Sequence, residues 1–209
     1  MSKTKLSRRE REKIRHKDEI LGAALKLFSK NGFHNVSMQE IAEGSEFGVG
    51  TLYKFFESKE ALFKELMNRT GQHVVGEFTE ILDGPGNEKD RLAGFIRHQP
   101  KLQEKHGDVI KLFVSEFGIK GSKLSKIHGE SNVHKVLDSK IERLIEQGIN
   151  KGMFRTVDPA ITAKALGSVI ETLIFESTGN FELDRVTEMF KKVEQLFLDG
   201  LLISGEKNE

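Results

Sequence analysis

The 209-residue sequence contains no cysteine and no tryptophan, one tyrosine and only three prolines. Without cysteine there is no disulfide framework, no thiolate metal site and no cysteine nucleophile. No apolar run approaches the roughly 18 residues that a membrane-spanning helix needs, which argues against a transmembrane protein. No signal-peptide cleavage pattern follows the basic start of the chain, so we expect a cytoplasmic protein. An apolar fraction of 37% with 31% charged residues is ordinary for a globular chain.

Positive charge is concentrated at the front of the sequence. Residues 1–17 hold eight Lys and Arg against two Glu, although the whole chain carries a net charge of only +1. A basic segment suits a polyanionic partner, either nucleic acid or an anionic membrane surface, and it is equally typical of a solvated tail. Ser7 and Glu10 have the spacing of a capping box, so residues 7–17 are either a helical extension or a flexible arm that reaches the minor groove.

Apolar residues recur at helical spacing along nearly the whole chain, and no alternating strand pattern is longer than a few residues. A first helix carries its apolar stripe from Ile20 to Phe28. Gly32 suits the left-handed residue that closes this helix, and Phe33 can pack back on Phe28 as a Schellman contact.

The next two helices are short. Ser37 and Glu40 predict a capping box at the start of the second helix, and Gly44 limits its length. A third helix is expected over about 49–55 and a fourth over about 58–82. Two short helices joined by a tight turn predict a helix-turn-helix.

Five more helices are predicted, at about 88–103, 106–117, 130–151, 159–178 and 183–203. Pro100 should end or bend the first of these, and Asp158 followed by Pro159 marks the start of the fourth. The sequence therefore predicts an all-α chain of about nine helices.

Several motifs occur together in a fixed order in the first third of the chain. The segment from Gly50 to Leu62, preceded by Ile41-Ala42, resembles the DNA-binding signature of TetR-type (tetracycline-repressor-like) transcriptional regulators. The segments Ala23–Phe28 and Asn31–Phe33 resemble the same family, so the match covers roughly residues 15–66. The resemblance implies an N-terminal three-helix helix-turn-helix domain, joined by a long helix to a C-terminal helical domain that dimerises and binds a small effector.

This resemblance divides the chain into a basic extension (1–14), a DNA-binding domain with the start of the linking helix (15–75) and an effector-binding and dimerisation domain (76–209). It implies a repressor that binds a palindromic double-stranded DNA operator as a homodimer and is released by a small effector. The apolar stripes of the helices over 159–178 and 183–203 are wide enough for burial on two sides, so we expect the dimer there. The alternative is a purely intramolecular core.

The effector is expected to be apolar, and its pocket residues are left open. This expectation rests on six phenylalanines in the C-terminal part, although phenylalanine in a helix is also typical of an ordinary core. The six are Phe78, Phe95, Phe113, Phe117, Phe154 and Phe175.

The residues expected to contact DNA lie between the second helix and the start of the fourth: Ser37, Gln39, Val49, Gly50, Thr51, Tyr53, Lys54 and Lys59. Ser37 stands at a helix start, where a hydroxyl and free amides can meet a phosphate. The hydroxyl of Tyr53 is expected on a phosphate, with a buried, hydrogen-bonded tyrosine as the alternative.

Val49, Gly50 and Lys54 are the expected contacts to base edges or adjacent phosphates, and Gln39 is an additional contact. Lys59 lies in the first turn of the fourth helix, where the helix dipole opposes a cation. A phosphate would compensate that charge.

Two positions depart from the family pattern, in which a glycine occupies the turn and Ser or Thr caps the third helix. Glu46 stands in the turn, where a left-handed conformation costs about 1 kcal/mol, so a differently built turn is an alternative. Gly48 stands at the cap and is weaker than Ser by a few tenths of a kcal/mol.

An enzyme is one rival interpretation, and a helical scaffold or membrane-surface protein that uses the basic front end is the other. The seven histidines form no His-Glu-x-x-His motif and no pair at helical spacing, so we expect surface or core histidines and no metal site. Gly-x-Ser-x-Gly is also absent from the sequence. We therefore expect neither catalysis nor a cofactor.

Overall fold

The computed structural model describes residues 7–117 and 132–203. This part of the chain forms eight helices: α1 (Arg8–Asn31), α2 (Met38–Gly44), α3 (Val49–Phe55), α4 (Lys59–Leu82), α5 (Glu88–Phe117), α6 (Asn132–Asn150), α7 (Pro159–Thr178) and α8 (Leu183–Leu201). The β pairing in the same residues is a single isolated bridge between Phe154 and Leu202. The all-α prediction is therefore confirmed. Residues 1–6 of the predicted basic extension, and residues 130–131 of the helix predicted over 130–151, lie outside the described residues.

Buried side chains of α1 to α4 form one hydrophobic cluster, here called the N-terminal core. Its members include Ile20, Ala24, Phe28, Ile41, Leu52, Leu62 and Phe63. α1 ends as predicted at Gly32, which has a φ of 79° and donates its N–H to the Phe28 carbonyl at 2.8 Å. The rings of Phe28 and Phe33 lie 5.3 Å apart. The predicted packing of Phe33 on Phe28 is therefore confirmed, and the Phe33 N–H donates to Glu116 Oε1 at 3.2 Å.

A second cluster, the C-terminal core, joins the end of α4 to α5, α6, α7 and α8. Its members include Phe78, Leu92, Phe95, Ile96, Leu102, Ile145, Phe154, Leu166 and Phe190. The ring of Phe154 lies directly against the backbone of Gly148, where a side chain would have no room. Phe78, Phe95 and Phe154 are thus core residues, while the side chains of Phe113 and Phe117 lie outside the part that the structure describes.

α5 belongs to both cores because it bends once. His106 has non-helical dihedrals, φ −114° and ψ 19°. Leu102, before the bend, packs in the C-terminal core, and Leu112, after it, packs in the N-terminal core. The break predicted between the helices over 88–103 and 106–117 is this bend, so these two predicted helices are one bent helix among the eight of residues 7–117 and 132–203. It lies beyond Pro100, the residue to which we attributed it.

The start of α7 follows the prediction. Asp158 is the N-cap and accepts the Ile161 N–H at 2.9 Å, with Pro159 in the first turn. No helix of residues 7–117 and 132–203 is long and apolar enough to cross a bilayer.

The wide apolar stripes of α7 and α8 divide into an inner and an outer part. The inner residues are buried within the single chain: Leu166, Ile170, Val186, Phe190, Val193 and Leu201. The outer part includes Ile161 and Leu196, each 68% exposed. Its other members are half-buried or exposed and border these two: Ala165, Val169, Leu173, Met189 and Phe197. An apolar face therefore remains uncovered by the described residues.

Candidate nucleic-acid interface

The start of α2 is fixed by the predicted capping box. The Glu40 N–H donates to Ser37 Oγ at 3.2 Å, and the Ser37 N–H donates to Glu40 Oε2 at 2.7 Å. The Ser37 hydroxyl also donates to Glu40 Oε2 at 2.7 Å, and this hydrogen bond lowers the pKa of the Glu40 carboxyl. Because the first amides of a helix lack intrahelical acceptors, those of Met38 and Gln39 are the donors that α2 can offer to an anion. Ser37 is thus a helix cap, and its phosphate contact stays a prediction.

The turn after α2 keeps the left-handed geometry despite Glu46. Glu46 has a φ of 60°, and no other non-glycine among residues 7–117 and 132–203 has a positive φ. The Glu46 N–H donates to the Glu43 carbonyl at 3.1 Å, and the Phe47 N–H donates to the Ala42 carbonyl at 3.0 Å. These are the two bonds of a Schellman motif. The turn is therefore built in the ordinary way, and the alternative of a different turn is wrong.

α3 presents its polar side outward, as predicted. Leu52 is fully buried and Phe56 is 5% exposed, whereas Tyr53 is 53% exposed. Lys54 is exposed on the same short helix. The other predicted residues of α3 are Val49, Gly50 and Thr51. Val49 and Gly50 are exposed on this face, and Thr51 is half-buried. The alternative of a buried, hydrogen-bonded tyrosine is therefore wrong.

The N-terminus of α3 is open to solvent. Gly48 is the N-cap and supplies no side-chain hydrogen bond, as its residue type requires. A Cβ built on Gly48 or on Gly50 would meet nothing within 4 Å. Another backbone can therefore approach α3 closely at this end.

Gln39 and Lys59 both have partners within the chain. Gln39 Nε2 donates to Glu43 Oε1 at 2.9 Å on the exposed side of α2. Lys59 Nζ donates to the carbonyls of Phe33 at 2.8 Å and Val36 at 2.7 Å, and it lies 4.5 Å from the centroid of the Phe33 ring. These carbonyls supply the compensation that we had attributed to a phosphate. Lys59 thus fixes the loop between α1 and α2, and a phosphate contact by it stays a prediction.

The basic front end is a helix rather than a flexible arm from Arg8 onward. The Ser7–Glu10 capping box is formed, and α1 runs unbroken to Asn31. His16 lies edge-on to Phe47 and Phe55, with ring centroids 5.1 and 6.4 Å apart. α1 is therefore in contact with both ends of α3. The sequence analysis missed this contact, because a single histidine on a charged helix carries no spacing signal.

Ion pairs attach α1 to α4. Lys17 Nζ lies 2.6 Å from Glu65 Oε1, and this bond lowers the pKa of the Glu65 carboxyl. Arg69 bridges Glu65 and Asp18. The three-helix unit and the linking helix are consequently joined on their polar side as well as through the core.

A cleft of about 420 Å³ lies at the bend of α5. Its apolar lining is Leu25, Val109, Ile110 and Phe181; its polar lining includes Thr70, Gln103, Glu104, Lys105, His106, Asp108, Lys111 and Thr178. The cleft thus borders α1, α4 and both halves of α5.

Three basic groups of α5 surround one carboxylate of α4 beside this cleft. Glu77 Oε1 lies 2.7 Å from Lys105 Nζ and 3.4 Å from His106 Nε2, while Oε2 lies 3.3 Å from His98 Nε2. The Lys105 hydrogen bond, followed by those of the two histidines, lowers the pKa of Glu77 to about 2. The cluster connects the bend of α5 to the linking helix. Within residues 7–117 and 132–203 no group of His, Asp and Glu has the arrangement of a metal site.

Known proteins resemble this chain in sequence and in fold. The family model "Bacterial regulatory proteins, tetR family" matches residues 20–66. The HTH-type transcriptional regulator QacR of Staphylococcus aureus is 48% identical over 187 residues, which are 88% of this chain and 97% of that protein. The family match thus falls on the helix-turn-helix, and the likeness to the relative extends over both cores.

Two solved structures share the fold. The fatty acid degradation regulator FadR from Bacillus halodurans matches with a TM-score of 0.75 at 18% identity, over 99% of this chain and 100% of that chain. The transcriptional regulator FadR from Bacillus subtilis, in complex with stearoyl-CoA, matches with a TM-score of 0.72 at 18% identity, over 88% and 98% of the two chains. At these identities they establish the arrangement of helices alone.

Proposed function

The chain belongs to the tetR family of bacterial regulatory proteins and is a DNA-binding transcriptional repressor rather than an enzyme; on this premise we propose that two copies bind a near-palindromic operator through α3. The observation that carries the proposal is the outward face of α3, where Tyr53 is 53% exposed opposite the buried Leu52. Val49, Gly50 and Lys54 share this exposed helix. A helix with such a face fits the major groove, where base edges are distinguishable.

Positioning on the operator comes from phosphate contacts at the edges of this surface. The amides of Met38 and Gln39 lie in the first turn of α2, beside the Ser37 cap, and can donate to a phosphate. Tyr53 adds a hydroxyl, and Thr51 adds a second one. Such contacts fix register and orientation, whereas contacts from Val49 and Lys54 supply sequence choice. Gln39 can join them through the second Nε2 proton and the Oε1 that its bond to Glu43 does not use, whereas Lys59 already donates to two backbone carbonyls.

The dimer forms through the outer part of the α7 and α8 stripes. Ile161 and Leu196 are each 68% exposed in the single chain, which is an unfavourable place for large apolar side chains. Two copies that pack these helices as a four-helix bundle cover both residues. The symmetry then sets the two α3 helices about 34–36 Å apart, which is one turn of DNA.

In vitro selection of DNA from a random pool tests the operator proposal directly. We expect a palindrome with a fixed half-site spacing. Tyr53→Phe should weaken binding to all selected sequences alike, because it removes one phosphate contact, whereas Lys54→Ala should change the preferred base at one position. Lys101→Ala, an exposed lysine of α5, is the matched control and should change neither. Recovery of no common sequence, or binding that is insensitive to salt, contradicts the proposal.

Sedimentation tests the dimer independently of DNA. Leu196→Glu should give a folded monomer that has lost operator binding, because a charge on the outer stripe cannot be buried between two copies. Gln195→Glu, its exposed neighbour on another face of α8, should remain dimeric. A wild-type protein that is monomeric at micromolar concentration refutes this part of the proposal.

The effector is proposed to bind the cleft at the bend of α5. Its volume of about 420 Å³ suits a small organic ligand, and its lining combines four apolar residues with charged ones. We therefore extend the expected apolar effector to an amphipathic one. A ligand there touches α1 through Leu25 and α5 on both sides of His106, so it can change how the N-terminal core sits on α5.

A screen by thermal shift with fatty acyl thioesters, flat aromatics and lipophilic cations tests this site. One class should stabilise the protein and lower operator affinity by about 5- to 150-fold. Ile110→Trp, which fills the cleft, should abolish the shift, whereas Ile14→Trp on the exposed side of α1 should not. A ligand that stabilises both variants equally binds elsewhere and overturns the assignment.

A further inference from the structure

The first turns of α1 project beyond the N-terminal core. All residues from Arg8 to Arg15 are exposed, and the first buried residue of α1 is Ile20. At 1.5 Å per residue, these eight residues extend α1 by about 12 Å. They carry five basic residues against two Glu. The extension makes no contribution to the N-terminal core, so its sequence is not explained by folding.

The basic residues of this extension lie on two different faces. Arg9 and Lys13 share the face of His16, because residues at i, i+4 and i+7 align along a helix. His16 packs against Phe47 and Phe55 at the two ends of α3. Arg9 and Lys13 therefore lie on the α3 side of the extension.

The other face carries Arg8, Arg11 and Arg15, which align with one another in the same way. Arg11 lies about 140° around the helix from His16 and so points away from α3. Arg15 lies only about 100° from His16, and its Nη2 is 3.4 Å from His16 Nε2.

The two faces also differ in how their charges are compensated. On the other face, Arg8 pairs with Glu12 at 3.1 Å and Arg15 with Glu19 at 3.7 Å, whereas Arg11 forms no ion pair with a carboxylate of the described residues. Arg9 and Lys13 form no ion pair with any carboxylate of the described residues. Uncompensated cations therefore continue the surface of α3 along α1.

We propose that Arg9 and Lys13 form a second phosphate-binding surface, which contacts the DNA backbone flanking each half-site, outside the groove that α3 enters. The inference rests on the proposed function and adds a contact that the helix-turn-helix does not make. Charge complementarity favours a polyanion, and continuity with α3 through His16 favours the same DNA molecule over a membrane. The rigid helix holds the two cations in place, so the contact needs no folding of an arm.

The experiment compares Arg9→Ala/Lys13→Ala with Arg8→Ala/Arg11→Ala, since each double variant removes two positive charges from one face and neither removes the Arg15 contact to His16. Operator affinity is measured at several salt concentrations, on a duplex with flanking DNA and on one trimmed to the half-sites. On the long duplex the first variant should reduce the salt slope by about 0.9 for each lost phosphate contact, or about 1.8 per protomer. The second should leave the slope unchanged. On the trimmed duplex both variants should bind like the wild type.

Five results overturn the inference. Equal losses in both variants indicate diffuse charge rather than a surface, and a loss that persists on the trimmed duplex places the contact inside the half-site. Binding to anionic phosphatidylserine vesicles that requires Arg9 and Lys13, without an effect on DNA, assigns the face to a membrane. If the wild type binds no operator, the proposed function fails and the inference fails with it. Weakening by Tyr53→Phe with no effect of Arg9→Ala/Lys13→Ala refutes the inference alone.

Discussion

The turn of the helix-turn-helix and the C-terminal part of this chain are fixed by interactions of different range, although long-range contacts such as Lys17–Glu65 also join α1 to α4. In the N-terminal core, capping boxes and a Schellman turn connect residues three to five positions apart, as at Ser37–Glu40 and Ala42–Phe47. In the C-terminal part, ion pairs connect residues that are distant in sequence. Arg97 forms a bidentate pair with Glu194, and Glu88 accepts a hydrogen bond from Lys151 at 2.6 Å.

The two kinds of interaction serve different purposes, since one fixes a local backbone conformation and the other fixes how helices are placed. The capping box of α2 and the Schellman turn after it fix the backbone that leads into α3, the helix that carries Tyr53. Pairs between distant helices fix how whole helices are placed, and such placements can change by small shifts. α5 contributes to both cores across its bend at His106, and it is therefore the element through which a shift in one region reaches the other.

The largest expected effect comes from removing one leucine on either side of the bend. Leu102→Ala and Leu112→Ala each empty a buried site, at 4% and 1% exposure, and should each cost about 2–5 kcal/mol of unfolding free energy. Hydrogen exchange should show that Leu112→Ala exposes amides of α1 and α2, whereas Leu102→Ala exposes those of α6 and α7. If both variants accelerate exchange equally in all helices, α5 does not separate the two cores.

The second effect is the pH dependence of the Glu77 cluster. The pKa of Glu77 is lowered from 4.5 to about 2, so its stabilisation is present above about pH 4.5 and is lost as the pH falls toward 2. The side chain is 24% exposed, and the shift corresponds to at most about 3 kcal/mol. Glu77→Gln should therefore destabilise the protein at pH 7, and the difference from the wild type should vanish near pH 2.

Denaturant unfolding from pH 7 to pH 2 measures this difference. Glu188→Gln breaks an exposed pair with Lys191 and should cost only a few tenths of a kcal/mol at any pH. If Glu77→Gln lowers the free energy of unfolding equally at pH 7 and at pH 2, the ionised Glu77 cluster is not the origin of that stability.

The same division explains what the sequence could predict. The caps at Ser37 and Asp158 were predictable, because a capping residue and its amide partner lie within one turn. The backbone partners of Lys59 were not predictable, since the carbonyls of Phe33 and Val36 are more than twenty positions away. The bend at His106 was assigned to Pro100, because proline is the strongest local signal for a bend, although Gly107 stands next to the bend itself.

The faces of α7 and α8 show the same limit. Periodicity identified the apolar residues of both helices, but it could not tell the buried Ile170 from the exposed Ile161. That division depends on which side of α7 packs against α5 and α6. The cleft was likewise out of reach, because it combines Leu25 of α1 with Phe181 beyond α7.

A smaller effect should follow from Glu46→Gly, which tests the local geometry of the turn. Glu46 holds a φ of 60°, and a left-handed residue with a side chain costs about 1–2 kcal/mol, part of which glycine loses again through its freedom in the unfolded chain. We expect a gain of about 0.5–1 kcal/mol in thermal unfolding, with operator affinity unchanged. Glu43→Gly, inside α2, should cost about 1 kcal/mol instead. A destabilising Glu46→Gly would show that the Glu46 side chain, and not the turn, matters.

The smallest effect is expected from Gly48→Ser at the cap of α3. Gly48 has a φ of −67° and a ψ of 142°, which any L-residue adopts, and an added Cβ meets nothing within 4 Å. A serine hydroxyl can accept an amide of the first turn of α3 and should add a few tenths of a kcal/mol, while Gly48→Ala should lose stability because alanine caps poorly. Thermal unfolding of the three proteins gives the order. Because the effect of a cap is local, the gain should appear in the hydrogen exchange of α3 and leave the C-terminal core unchanged; protection that rises in α6 to α8 as well would mean that the two regions are not held separately.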